Sequence, residues 1–229
     1  MENKTIKIGI AGVGTVGCGV INLLKRNNEE IFKRTGFNIK VVCISAKNKD
    51  KKRDCNVDQY NFYTDPLKMI ENEDINILVE LIGGESIARN LVKKSLEKNI
   101  HVVTANKALI ALHGNEISDL AQKNNCDVAF EASVAGAVPI IKVIKESLNA
   151  NKIEWIAGII NGTTNFILTS MLKRKKDFKD VLLEAQELGY AESDPSFDVG
   201  GIDAAHKLTI LSSISFGINL NFDAIYIEG

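Results

Sequence analysis

The chain carries almost no net charge: 28 basic against 29 acidic side chains leave −1 over 229 residues. Without a global field, nothing draws it to nucleic acid or to an anionic membrane, and the expected partners are a small molecule and a second subunit. Long apolar runs are also missing. The longest candidates are interrupted by Lys, Glu or Asn, and none reaches the roughly 18 residues of a membrane span, so no membrane partner is expected. The N-terminus alternates polar with apolar residues from Met1 to Ile10 and lacks the apolar stretch and cleavage site of a signal peptide. Cys18, Cys43, Cys55 and Cys126 show no Cys-x-x-Cys spacing, and His101, His113 and His206 form no ligand cluster with them. Zinc and iron–sulfur chemistry are not expected, and the reading is of reduced structural thiols in a cytoplasmic protein.

What is present is an ordinary globular composition, 45% apolar, laid out as alternating strands and helices. Thr5–Ala11 reads as a strand, Thr15 to about Arg34 as one helix closed by Gly36, and Asn38–Ala46 as a second strand. A polar loop over residues 47–61 follows, then a short helix over Pro66–Asn72. Ile75–Ile82 is a nearly continuous apolar run suited to a buried parallel strand. Ser86–Asn99 is an amphipathic helix, Ile100–Thr104 a strand, Lys107–Asn124 a helix broken at Gly114, and Asp127–Glu131 a strand. Beyond about residue 135 the pattern turns helix-rich, with helices at Pro139–Leu148, Thr164–Arg174, Phe178–Leu188 and Ile202–Phe216. Between them Lys152–Ile160 alternates as a strand with one face free for a partner.

Gly12-Val13-Gly14-Thr15-Val16-Gly17 lies between a predicted strand and a predicted helix, the context that the dinucleotide fingerprint requires. The first glycine permits the turn, the second admits the pyrophosphate, the third lets helix and strand pack closely, and the helix N-terminus faces the phosphates. The fold class is therefore α/β, a Rossmann-type doubly wound parallel sheet over residues 1–134, followed by a smaller α+β substrate and dimerisation domain over 135–229. An NAD site places an acidic residue at the end of the second strand. Here that position is Ser45 or Ala46; Lys47 follows at once and Lys49 is near, so the local charge suits a 2′-phosphate and favours NADP over NAD, which remains possible. A solvated loop of lysines from Lys47 to Arg53 is the alternative for any one of them. Gly83-Gly84 and Thr104-Ala105-Asn106-Lys107 each follow a parallel strand and land at the carboxyl edge of the sheet, where open α/β folds bind ligands.

Residues 190–207 crowd Glu192, Asp194, Asp198 and Asp203, the Gly200-Gly201 pair and Lys207 into eighteen positions. Asp203 and Lys207 have the i, i+4 spacing of a simple helix pair. The four carboxylates cannot all pair with one lysine, however, and an amino-acid-like substrate would use them well.

Together the segments resemble homoserine dehydrogenases. The resemblance rests on residues 9–17, 79–84 (Val-Glu-Leu-Ile-Gly-Gly), 104–111 (Thr-Ala-Asn-Lys-Ala-Leu-Ile-Ala), 131–141, 158–168 (Gly-Ile-Ile-Asn-Gly-Thr-Thr-Asn-Phe-Ile-Leu) and 190–207, six ordered motifs covering nearly the whole chain. It implies NAD(P)H-dependent interconversion of aspartate 4-semialdehyde and homoserine, with Lys107 and Lys207 as active-site lysines and Glu192 and Asp203 binding substrate or supporting the lysine. Gly162 and Thr163 would line the cleft. Glu131, with the carbonyls of Val134, Gly136 and Val138, would hold a monovalent cation such as sodium. The resemblance also implies a C-terminus short of the family's. That leaves two rival expectations, a noncatalytic NADP-binding remnant and another semialdehyde or amino-acid dehydrogenase on the same scaffold.

Overall fold

The computed structural model describes residues 4–229, which divide into two compact units after Ser133. In the first, six parallel strands form one sheet of order β3-β2-β1-β4-β5-β6. They are β1 (Lys4–Ala11), β2 (Phe37–Ser45), β3 (Asn61–Tyr63), β4 (Ile77–Glu80), β5 (His101–Thr104) and β6 (Val128–Ala129). The chain steps outward from β1 to β3, then returns to the other side of β1 for β4, so the order reverses between β1 and β4. Successive side chains of a strand point to opposite faces. On one face Cys43, Leu78 and Val102 pack with Met69, Ile70, Leu91 and Leu96 of the covering helices, and on the other Ile44, Val79, Ile8 and Ile10 pack with Cys18 and Ile21. Both faces are covered, which explains why β4 reads as an unbroken apolar run.

The covering helices are α1 (Thr15–Arg26), α2 (Asn28–Thr35), α3 (Pro66–Asn72), α4 (Ser86–Glu97) and α5 (Lys107–Lys123). The single helix expected from Thr15 to Arg34 is two. Lys25 and Arg26 sit in the last turn of α1, and Glu29 and Glu30 in the first turn of α2. That is the charge pattern of one helix end meeting another's start, and Asn27 forms the joint. No break occurs at Gly114, which is buried inside α5; an interior glycine costs only about 1 kcal/mol relative to alanine. β3 replaces the end of the expected polar loop, and the strand expected over Asp127–Glu131 shortens to β6 before the tight turn Glu131–Ser133.

The second unit is helical among its described residues: α6 (Ile140–Lys142) running into a wide turn over Val143–Ser147, then α7 (Gly162–Arg174), α8 (Phe178–Glu187), α9 (Ser196–Val199) and α10 (Ile202–Phe216). Ile167, Val181, Ala185 and Ala191 bury together between α7 and α8. The strand expected at Lys152–Ile160 does not form. A strand exists by its ladder of hydrogen bonds, and no other strand of this unit supplies one, so Trp155 and Ile159 stand 75% and 80% exposed. No described helix is long and apolar enough to cross a membrane.

Candidate functional site

The fingerprint loop leaves the carboxyl end of β1 beside that of β4. Gly12 has φ +101, and a Cβ there would lie 2.4 Å from the carbonyl oxygen of Leu81; one on Gly17 would lie 2.1 Å from that of Gly12. Both positions therefore require glycine for close approach. Gly14 is different: a Cβ would meet nothing within 4 Å. It is the N-cap of α1 and offers no side chain to the helix's first N–H groups. Val13 is buried in the core while Gly14, Thr15 and Val16 face outward. An open cradle over unclaimed helix N–H groups fits a pyrophosphate. Lys47 is exposed just past β2.

At the next strand ends a buried carboxylate joins two of the expected segments. Glu80, the last residue of β4, is fully buried, and its Oε1 accepts from the backbone N–H of Ile82 (2.8 Å) and Gly83 (3.2 Å). Its Oε2 accepts from the Thr104 hydroxyl at 2.5 Å, and that hydroxyl accepts in turn from the N–H of Asn106 at 3.0 Å. Asn106 donates its side-chain amide to the carbonyl of Gly84 (2.6 Å) and caps α5 by accepting from Leu109 N–H (3.1 Å). Burying a charge is costly unless it is hydrogen-bonded, and here three donors compensate it. The network fixes the Gly83-Gly84 loop, Ala105 and the first residue of α5, Lys107, in one register. Sequence reasoning quoted Glu80 and Asn106 within their segments but gave neither a role, although an acid inside an apolar strand was the signal.

In the second unit Lys207 and Asp203 face inward from the first turns of α10. The Lys207 ammonium donates to Asp203 Oδ2 at 2.6 Å and to the carbonyl of Ile160 at 2.7 Å, with side chains 16% and 5% exposed. Asn161, at the N-cap of α7, donates from one amide nitrogen to Asp203 Oδ2 and to Asp198 Oδ1, both at 2.8 Å. Its oxygen accepts from the N–H and the hydroxyl of Thr164, also at 2.8 Å. All the hydrogen-bonding capacity of that amide is used. Two carboxylates are held beside one ammonium, and two of the ammonium's three donors are taken.

The other members of the acidic segment lie elsewhere. Asp194 accepts from the N–H of Ser196 and starts the turn into α9; the Ser196 side chain, then its backbone N–H, hold the Asp194 carboxyl below the usual range. Glu192 is exposed, its backbone carbonyl takes the amide of Gln186, and its carboxylate does not join the Asn161 network. Thr163 donates its hydroxyl to the carbonyl of Tyr190 at 2.7 Å, tying the start of α7 to that segment, and Gly162 is exposed. His206 is buried between Phe197 and Phe222 at ring separations of 5.5 and 4.7 Å, a core position. Gly201, at φ +76, opens α10, and a Cβ there would meet Ile227 at 3.0 Å, so the last described residues pack on this hinge.

Glu131 opens the short turn that ends the first unit. In the second, Val134 is buried, and Ala135 and Ala137 adopt φ +49 and +69 on either side of Gly136. Left-handed backbone at two alanines is strained, and such strain marks a turn held by its surroundings. No group of three or more His, Cys, Asp or Glu that could hold a metal occurs among the described residues.

Residues 12–131 match the family profile described as homoserine dehydrogenase, NAD binding domain, and residues 139–229 match the one described as homoserine dehydrogenase. The chain is similar to the homoserine dehydrogenase of Pseudomonas aeruginosa, 55% identical over 226 residues that make up 99% of this chain and 52% of that protein. Among solved structures it is similar to a homoserine dehydrogenase from Thiobacillus denitrificans, 52% identical with a TM-score of 0.94 over 99% of this chain and 52% of that one. It is also similar to a hyperthermophilic archaeal homoserine dehydrogenase in complex with NADPH, 31% identical with a TM-score of 0.80, over 97% and 75%. The chain spans about half the length of the curated relatives it matches.

Proposed function

Because the chain belongs to the homoserine dehydrogenase family, we propose that it carries the cofactor and substrate sites of an enzyme that reversibly reduces L-aspartate 4-semialdehyde to L-homoserine. The reaction serves threonine, methionine and isoleucine biosynthesis in the cytoplasm. The observation that carries this reading is the Lys207 ammonium, oriented by Asp203 and the Ile160 carbonyl with its third donor uncommitted.

Gly12, Val13, Gly14, Thr15, Val16 and Gly17, with Gly83, Gly84, Thr104, Ala105 and Lys107, would hold a nicotinamide dinucleotide, which would supply the hydride. Lys207 donates its third N–H to the aldehyde oxygen, stabilises the negative charge that grows there and passes it the proton. Asp203 keeps the ammonium pointed, and Asn161 keeps Asp203 in place. Asp198 and Glu192 suit the substrate's own ammonium, Gly162 and Thr163 would border the substrate, and Lys107, the other active-site lysine that the family likeness implies, would share the task or position the substrate.

Lys47 at the end of β2 favours NADP, with NAD as the weaker alternative. A monovalent cation such as sodium or potassium is proposed on Glu131 and the carbonyls of Val134, Gly136 and Val138, because hard oxygen ligands suit it better than a transition metal. The exposed Trp155 and Ile159 support a homodimer formed through residues 152–160. Steady-state assays with aspartate semialdehyde and NADPH or NADH test the reading. Lys207→Ala is expected to keep NADPH binding and lose about 10²–10⁴ in turnover; near-wild-type turnover refutes the role. Turnover of other aldehydes but not this one would assign a different dehydrogenase.

A further inference from the structure

The segment between β2 and β3 is more than a solvated run of lysines. Arg53 donates its Nε–H to the carbonyl of Val13 in the fingerprint loop at 3.0 Å. Its Nη1 donates to the carbonyls of Lys49 and Lys51, both at 2.9 Å, and its Nη2 to that of Asn48. One side chain thus gathers three carbonyls of its own loop and fixes them to the turn that cradles the pyrophosphate. Two more contacts pin the same segment: Asn22 of α1 donates to the carbonyl of Asp54 at 2.8 Å, and Cys55 packs against the core cluster containing Cys18 and Ile44. The Arg53 guanidinium and the Lys49 ammonium each lie 5.9 Å from the ring centre of Phe62 on β3.

A guanidinium has five N–H donors in a rigid fork. Four are committed here to backbone carbonyls, so the two parallel bonds with which arginine ordinarily grips a phosphate are not on offer. The exposed cation directly after β2 is Lys47, and the position of its backbone depends on the loop that Arg53 ties down.

Building on the dinucleotide-site reading above, we propose that Arg53 is the positioning residue for cofactor choice: it holds Lys47 where a ribose 2′-phosphate is met, without touching that phosphate itself. Freed of Arg53, the loop must be ordered each time NADPH binds, and that cost falls on the cofactor that needs the loop.

The test is a titration of NADPH and NADH into the full chain and its Arg53→Ala, Arg53→Lys, Lys47→Ala and Arg53→Ala/Lys47→Ala variants, with thermal unfolding alongside. The wild type is expected to prefer NADPH, and Arg53→Ala to lower the NADPH-to-NADH affinity ratio about tenfold. Arg53→Lys is expected to behave alike, because a compact ammonium cannot span four carbonyls. Lys47→Ala is expected to lower the ratio too, and the double variant to lower it no further than Lys47→Ala alone, the mark of two residues acting through one contact. Multiplying effects would place Arg53 on the phosphate directly and overturn the proposal. So would full retention of the ratio in Arg53→Lys, or a loss of thermal stability that weakens both cofactors equally. Failure of the wild type to bind either dinucleotide would instead overturn the cofactor-site reading.

Discussion

Replacing Asn161 removes a side chain that touches both carboxylates of the lysine cluster. In Asn161→Ala, Asp203, only 4% exposed, keeps Lys207 but loses a donor at 2.8 Å, and a hydrogen bond to a buried charged group contributes about 1.5–3 kcal/mol. The Asp198 contact adds less because Asp198 is only half-buried. Loss of the N-cap acceptor for Thr164 N–H adds about 1 kcal/mol. The sum is about 3 kcal/mol, large against the stability of an ordinary domain. Urea unfolding followed by circular dichroism, with hydrogen exchange at the start of α7 to localise the loss, measures it. Asn161→Asp is the sharper control. It keeps the cap acceptor but sets a third carboxylate against the other two, so at neutral pH it is expected to be less stable than Asn161→Ala. The two existing carboxylates raise the pKa of the introduced group in the folded protein above its unfolded value of about 3.9. Its penalty is therefore full above the raised value and fades as pH falls toward about 4, where the protonated group again donates. A destabilisation below about 0.5 kcal/mol for Asn161→Ala, or a difference between the variants that ignores pH, would refute the hub role.

Gly14→Ala is expected to fold normally, since its Cβ meets nothing, yet to weaken dinucleotide binding about tenfold or more by filling the cradle; Gly17→Ala is expected to fail at folding itself, and comparing melting temperature with cofactor titration separates the two. Glu80→Gln is expected to cost about 2 kcal/mol, because with its amide oxygen kept on the Ile82 and Gly83 N–H groups its NH2 faces Thr104, whose O–H loses its acceptor. Combined with Thr104→Val it is expected to cost clearly less than the sum, measured as a double-mutant cycle on unfolding free energy; full additivity would mean that the two residues act separately.

The first unit was legible because parallel strands buried on both faces are unbroken apolar runs and the fingerprint marks the first turn. What was missed there has local causes. The joint at Asn27 is written in charges rather than in hydrophobic period, and β3 is three residues long, too short for any period to show. At Lys152–Ile160 the alternation was real, but pairing depends on a neighbour that alternation does not encode. In the site, Lys207 and Asp203 were visible because they are four residues apart on one helix. Asn161 meets Asp198 and Asp203 across 37 and 42 residues, a closure no window of sequence contains. Arg53 looked like one more solvated cation because its partners are backbone carbonyls, which have no letters of their own.

The wiring of Glu80 ties two separate stretches of the sheet edge to one side chain. The loop at Gly83-Gly84 and the first turn of α5 hang from opposite oxygens of one buried carboxylate, and Asn106 closes the circuit back to Gly84. The glycine loop and the start of α5 therefore share one anchor, and loosening either is expected to loosen the other.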